Sequence, residues 1–313
     1  MHFSPLLLSF LLAPAAVLAH PGHHETLSVK EHIRRAGLSK RCEGSAAAMN
    51  KKRWIRHNER RSLASRSNTT VVITTEAPYY ETIQNDTCVL TPEVTSGPYV
   101  WPRSQTLRQD MSEDQPGVPL YLDIGVLDTN TCEPLEAVLV DLWHCNATGS
   151  YSSFEGRSPN TPFAELVASL NMTIGPGLDL HTGDTTWLRG MWPTDSNGMM
   201  EMKTVFPGFY VERTIHIHAQ VHTNWVIGAN GTVVSDNTIS TGQIFFAEDL
   251  SEQIMALEPY VSHTQINRTT NAVDSVYASE NTAGFNPVMT VVPLDGEDVT
   301  NGMVAYITLG VAA

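Results

Sequence analysis

From Cys88 to the end of the chain, short segments rich in β-branched and aromatic residues recur between turn-forming clusters, with no long run of helical periodicity between them. Seven segments stand out: Leu120–Leu127, Ala137–Trp143, Met199–Phe206, Thr214–His222, Thr232–Ser235, Gln243–Phe246 and Met303–Leu309. Pro116-Gly117, Asp128-Thr129-Asn130, Ser196-Asn197-Gly198 and Pro207-Gly208 separate them with turn chemistry. Many short strands joined this way bury their apolar positions only by packing sheet on sheet, so the pattern predicts an all-β sandwich. Residues 152–186 interrupt the rhythm as a long irregular excursion, a length that often accompanies function.

The first 87 residues have a different texture. Pro5 to Ala19 form an apolar run broken by Pro14, too short to span a bilayer comfortably, with Val17 and Ala19 at the −3 and −1 positions of a cleavage site. Residues 1–19 are therefore expected to be a secretory signal and the mature protein to be extracellular. Residues 20–67 read as a basic helical arm, or a propeptide cut at one of its dibasic sites, residues 68–87 as a linker, and 88–313 as the sandwich domain. Residues 1–67 carry 12 Lys and Arg against 4 Asp and Glu, whereas residues 68–313 carry 7 against 29. So acidic a body repels phosphate backbones, which argues against nucleic acid, and no further apolar run is long enough for a membrane span. The opposed charges predict that the arm docks on an acidic body, its own or that of a second copy in a homo-oligomer.

An oxidising route suits the four cysteines and the six glycosylation sequons at Asn68, Asn85, Asn146, Asn171, Asn230 and Asn267, of which some are expected to be used. Four cysteines allow three pairings. The expectation is Cys132–Cys145, bracketing the Ala137–Trp143 strand, with Cys42–Cys88 fastening the arm.

The chemistry centres on Thr214-Ile215-His216-Ile217-His218-Ala219-Gln220-Val221-His222. Period two places His216, His218 and His222 on the face opposite Ile215, Ile217, Ala219 and Val221, so imidazoles at i and i+2 can meet one metal ion. Taken alone, such a pair serves a metal or a hydrogen bond about equally well. Upstream, the turn Phe206–Arg213 can project the Tyr210 phenol toward the same place, and Val140–Asn146 runs from a strand into a loop followed by Tyr151. Two phenols with two imidazoles favour a hard, highly charged ion such as Fe(III), which deprotonates phenols that are otherwise neutral. Trp143 and His144 alternate at a strand end, so one of them faces the core. His181 and His222 read as surface or near-site groups, and His263 as a surface residue.

At these residues the sequence resembles the intradiol ring-cleavage dioxygenase family, in particular its secreted fungal branch. The resemblance runs from Cys88 to about Leu250 through LTPEVTSGPY (90–99), DLWHCNATGSY (141–151), WLRGMWPTDSNG (187–198), FPGFYVERTIHIH (206–218) and GQIFFAEDL (242–250). It implies a prealbumin-like, immunoglobulin-like β-sandwich and a non-haem Fe(III) held by Tyr151, Tyr210, His216 and His218, with Tyr151 and His216 equatorial and Tyr210 and His218 axial. It further implies that Arg213 and Gln243 are the family's active-site arginine and its glutamine partner. Phe209 and Val211-Glu212 depart from the family, where Trp and Gly are frequent. The implied reaction inserts both atoms of O2 into a catechol between its hydroxyl-bearing carbons, giving a cis,cis-muconate, with Tyr210 leaving the metal as it takes a substrate proton. Two alternatives stay open: a Zn or Cu enzyme whose third ligand is Glu212 or His222, and a non-catalytic sandwich that binds carbohydrate or protein.

Overall fold

The computed structural model describes residues 37, 40–53, 89–90, 96–101, 106–175, 178–228, 233–281 and 286–313. The expected signal, most of residues 20–39 and 54–67, the expected linker and Cys88 lie outside them. Among the described residues, no helix is long and apolar enough to cross a membrane.

Two sheets form the body. The first contains β1 (Val89–Leu90), β2 (Pro119–Asp128), β5 (Met199–Val205), β8 (Thr290–Pro293) and β9 (Met303–Val311), ordered β1-β9-β2-β5 with β8 also on β9. The second contains β3 (Leu139–Trp143), β4 (Arg189–Pro193), β6 (His216–Ile227) and β7 (Val233–Phe245), ordered β4-β3-β6-β7 and antiparallel throughout. Strand alternation builds the core. Leu120, Leu122, Ile124 and Val126 of β2 face Val140 and Leu142 of β3 and Ile217, Ala219 and Val221 of β6 in one buried cluster. The predicted sandwich is what the chain forms.

The differences have local causes. The segments expected at 232–235 and 243–246 are the two ends of one long strand, β7, whose middle is polar because β7 borders its sheet. β4 is unpatterned, with Gly190 inside and Pro193 at its end, and it exists through its ladder with β3. A proline there is tolerated because β4 is also an edge strand. Three short helices, α2 (Phe163–Ser169), α3 (Glu248–Met255) and α4 (Ser275–Glu280), sit in the connections.

The arm is helical over residues 40–53 (α1) and docks on its own chain. It lies on the outer face of the first sheet, where β2 turns Asp123 and Gly125 outward. Arg53 is 1% exposed, with its Nε 2.9 Å from Asp123 Oδ1 and its other nitrogens donating to Thr308 Oγ1 at 2.9 Å and the Ile307 carbonyl at 2.8 Å. Gly125 leaves the room: a Cβ there would sit 2.1 Å from the guanidinium.

Cys42 is bonded to Cys132, which corrects both expected pairs. Cys132 packs with Cys42, Ala46, Met49, Leu127 and Met199 under α1. Cys145 is a buried free thiol beyond the opposite end of β3. An extended strand of five residues separates the two by about 16 Å, whereas a disulfide needs Cα atoms within about 7 Å.

Candidate active site

The site lies on the outer face of the second sheet. His216 and His218 project there because their neighbours Ile215 and Ile217 occupy the core. Trp143, directly across from His218 on β3, stacks on its ring with centroids 4.9 Å apart and planes 2° apart. Gln243 is the register partner of His218 on β7.

Two turns deliver the tyrosines, and two glycines let those turns touch. Gly208 N–H donates to the Asn146 carbonyl at 3.2 Å. A Cβ at Gly208 would meet that oxygen at 2.4 Å and the Ala147 oxygen at 2.5 Å. Gly149, at φ +87°, comes as near to the Phe209 carbonyl. The Tyr151 turn is held further by Arg189, whose Nε and terminal nitrogen donate to Ser152 Oγ at 2.8 Å and the Ser152 carbonyl at 2.9 Å. Ser153, at φ +66°, is bonded through both backbone and side chain to Thr185. The 152–186 excursion closes over the tyrosines: Phe154, Phe163, Leu166, Val167 and Leu180 pack with Tyr99, Tyr151 and Tyr210. Tyr99 stacks on Tyr151 at 4.6 Å.

Four donor atoms converge. Tyr210 Oη lies 3.2 Å from His216 Nε2, His216 Nε2 lies 3.1 Å from His218 Nε2, and His218 Nε2 lies 3.1 Å from Tyr151 Oη. Adjacent ligands of a metal ion with bonds of about 2.1 Å stand about 3 Å apart, so the spacing suits the edges of a coordination shell. His216 Nδ1 is 2.7 Å from the Thr214 carbonyl. A carbonyl only accepts, so Nδ1 carries the proton and Nε2 presents its lone pair to the centre, the arrangement of a metal-bound histidine. Among the described residues no group of three or more His, Cys, Asp or Glu could hold a metal; the phenols are indispensable to a metal centre here. Burial, aided by the neighbouring phenol, pushes Tyr151 well above the usual phenol range, and burial likewise raises Tyr210 against the pull of Arg213. Only a strongly charged cation offsets such desolvation, and the donor set fits Fe(III) on that ground.

Arg213 is 1% exposed. It donates to Gln243 Oε1, and its Nε lies 2.8 Å from Asp274 Oδ2. All six residues singled out beforehand, Tyr151, Tyr210, Arg213, His216, His218 and Gln243, thus meet in one place. Asp274 was not foreseen: it lies 61 residues beyond Arg213, and the only sequence signal at its position is that Asp is a common helix N-cap residue.

Trp143 and His144 alternate as expected: Trp143 stacks on His218 at the site, while His144 points the other way and bonds to the Cys145 carbonyl at 2.7 Å and Thr204 Oγ1 at 2.8 Å. Other expectations are revised. His263 is buried rather than exposed, stacked on Phe209 and 2.7 Å from Asn160 Oδ1, so it pins the long excursion to the tyrosine turn. His222 bonds to Thr238 and stands 3.8 Å from Asp141, four residues or about 13 Å along the strand from His218, too far to be a third ligand. Glu212 is half-buried at φ +66°, the conformation in which glycine is at ease. Burial pushes the Cys145 thiol up to about 12, so it stays neutral. Of the sequons, Asn171 and Asn267 are exposed, while Asn146 Oδ1 is engaged by Thr148 and Ser150.

A family profile described as Dioxygenase matches residues 96–170, which contain Tyr151 but not the other three donors. Among solved structures, the chain is similar to an intradiol ring-cleavage dioxygenase from Tetranychus urticae, at 26% identity over 72% of this chain and 94% of that one, with a TM-score of 0.57. Looser matches include the dioxygenase domain of a carbohydrate-binding fusion protein from Streptomyces sp. SirexAA-E, at 24% identity over 72% and 99% with a TM-score of 0.41. Catechol 1,2-dioxygenase from Pseudomonas arvilla C-1 matches at 18% identity over 71% and 62% with a TM-score of 0.39. No curated protein matches the chain.

Proposed function

The chain belongs to the intradiol ring-cleavage dioxygenase family, and from that premise we propose a secreted, ferric, non-haem enzyme that opens a catechol-type ring between its two hydroxyl-bearing carbons. Both atoms of O2 enter the product, a cis,cis-muconate-type diacid, and no external reductant is needed. The observation that carries the reading is the convergence of Tyr151, Tyr210, His216 and His218 within 3.1–3.2 Å contacts around one point.

Bound there, a ferric ion would hold both substrate oxygens and make the ring carbons electron-rich enough to react with O2. The protein's own groups do the rest. Tyr210 is the base: in so buried a pocket its phenolate takes up a proton readily, and a substrate hydroxyl supplies one. Arg213 offers N–H donors to the negative charge that develops as the ring loses aromaticity, and its aim is fixed beforehand by Gln243 and Asp274. Tyr99, Phe154 and the long excursion keep water from the centre. An exported enzyme is supported by the apolar N-terminus and by the Cys42–Cys132 bridge, a bond that persists in oxidising compartments.

Iron content, visible spectrum and catechol turnover test the assignment in the wild type and in Tyr151→Phe, Tyr210→Phe, His216→Ala, His218→Ala and Arg213→Leu. The wild type should be reddish from tyrosinate-to-iron charge transfer. The histidine variants should lose iron, each phenylalanine variant should change the band, and Arg213→Leu should keep colour but turn over slowly. A colourless wild type that binds no iron ends the reading, as does a Tyr210→Phe variant with unchanged spectrum and rate.

A further inference from the structure

Asp274 is the N-cap of α4, and one of its oxygens does what a cap requires: Oδ1 accepts the backbone N–H of Val276 at 2.8 Å and of Tyr277 at 2.9 Å. A cap needs nothing more. Yet Oδ2 accepts two further donors from the turn that leads into β6, Arg213 Nε at 2.8 Å and the backbone N–H of Thr214 at 2.8 Å. The residue is 1% exposed, so all four contacts lie out of water.

Thr214 carries the effect onward. Its N–H is held by Asp274, its hydroxyl is bonded to Asn271 Oδ1 at 2.6 Å, and its carbonyl accepts the Nδ1 proton of His216 at 2.7 Å. Residues 271–274 therefore hold Thr214 at two points, and Thr214 in turn sets which His216 nitrogen keeps the proton.

We propose that Asp274 is a positioning residue of the reaction centre: a single carboxylate aims the Arg213 guanidinium and, through Thr214, fixes the tautomer and orientation of His216. The role of the carboxylate is specific. Each oxygen accepts two N–H groups, so an amide of the same size would turn an NH2 toward donors whichever way it faced. It would also leave Arg213 buried without its counter-charge. The inference rests on the iron-dioxygenase reading, but one of its consequences is measurable without iron.

The test compares wild type, Asp274→Asn, Asp274→Glu and Ala278→Gly in the full chain. Ala278 is an exposed residue of α4 whose backbone N–H donates to the Asp274 carbonyl at 3.0 Å; glycine keeps that bond and leaves the Asp274 carboxylate contacts alone, while weakening the helix by about 1 kcal/mol. In iron-free protein, 15N NMR of the imidazoles should show His216 as the Nδ1–H tautomer in wild type and Ala278→Gly, and as a mixture in Asp274→Asn. In iron-loaded protein, Asp274→Asn should lose about 10–100-fold in kcat per bound iron or in iron retention against a chelator, with KM little changed. In an Arg213→Leu background the same change should still shift the His216 tautomer but cost less in kcat per iron than in the wild type, because one of its two routes is gone while the Thr214 route remains. Asp274→Glu keeps the charge on a longer stem and should fall between wild type and Asn. If Asp274→Asn does not fold, a wild-type tautomer and turnover in Asp274→Glu overturn the proposal. So do an unchanged His216 tautomer in folded Asp274→Asn, or losses that Ala278→Gly reproduces. A wild type that binds no iron refutes the function, while the tautomer measurement still decides the role of Asp274.

Discussion

Arg53→Ala is the substitution that most directly tests how the arm is joined to the body. Arg53 is buried on the outer face of the first sheet against Asp123, itself 5% exposed, and it also donates to Thr308, to the Ile307 carbonyl and to Asn50 Oδ1 at 2.7 Å. Alanine removes the cation and leaves the Asp123 carboxylate without its charge partner in a site shielded from water. Breaking a buried pair in this way costs about 3–5 kcal/mol. For a folded body of this size that is a drop in Tm on the order of 10 °C. Arg53→Met with Asp123→Leu removes both charges together and should recover most of the loss. The sheet on which α1 and Arg53 pack lies about 10 Å from the one that carries the histidines, with the whole core between them, so iron content per folded protein should stay at the wild-type value. Urea unfolding and calorimetry with the Cys42–Cys132 bond intact, beside iron analysis, make the measurement. A loss below about 1 kcal/mol for Arg53→Ala, or a double variant no better than the single one, would refute the buried-pair argument. Loss of iron in protein that is still folded would show that the arm belongs to the catalytic apparatus.

Three more outcomes are expected. Gly208→Ala puts a methyl group 2.4–2.5 Å from two carbonyl oxygens and should separate the tyrosine turns, costing about 1–3 kcal/mol and lowering iron retention, read by urea unfolding and metal analysis. Glu212 sits at φ +66°; Glu212→Gly should be neutral or stabilise by up to about 1 kcal/mol, whereas Glu212→Val should destabilise by about 1–2 kcal/mol. His144 is fully buried, and burial lowers its pKa to about 4 against 6.5 for a free imidazole. Below pH 6.5 the unfolded chain therefore takes up a proton that the folded one refuses, so stability falls from pH 6.5 to about 4 by up to ~3 kcal/mol. His144→Gln should flatten that part of the stability curve, and an unchanged slope would show that other groups cause it.

What the sequence determined by itself is everything that depends on neighbours along the chain. Side chains alternate across a strand with period two, so Ile215, Ile217, Ala219 and Val221 had to oppose His216 and His218, and they line the core as that rule requires. The turns that carry Tyr151 and Tyr210 were visible in their glycines and in their order relative to the histidine strand. Contacts between remote segments were not legible. Asp274 looks like any helix cap until α4 is folded against the turn into β6. Lys51-Lys52-Arg53 reads as a protease site until α1 turns Arg53 inward onto Asp123. His263 reads as a surface residue until Phe209 and Asn160 close over it. The cysteines make the point most plainly. A pair that brackets a strand looks close in sequence, but an extended strand holds its ends apart, and Cys132 met Cys42 across a sequence separation of 90. Periodicity fixes which way a side chain points; only the packing of sheets, helices and loops decides what it points at.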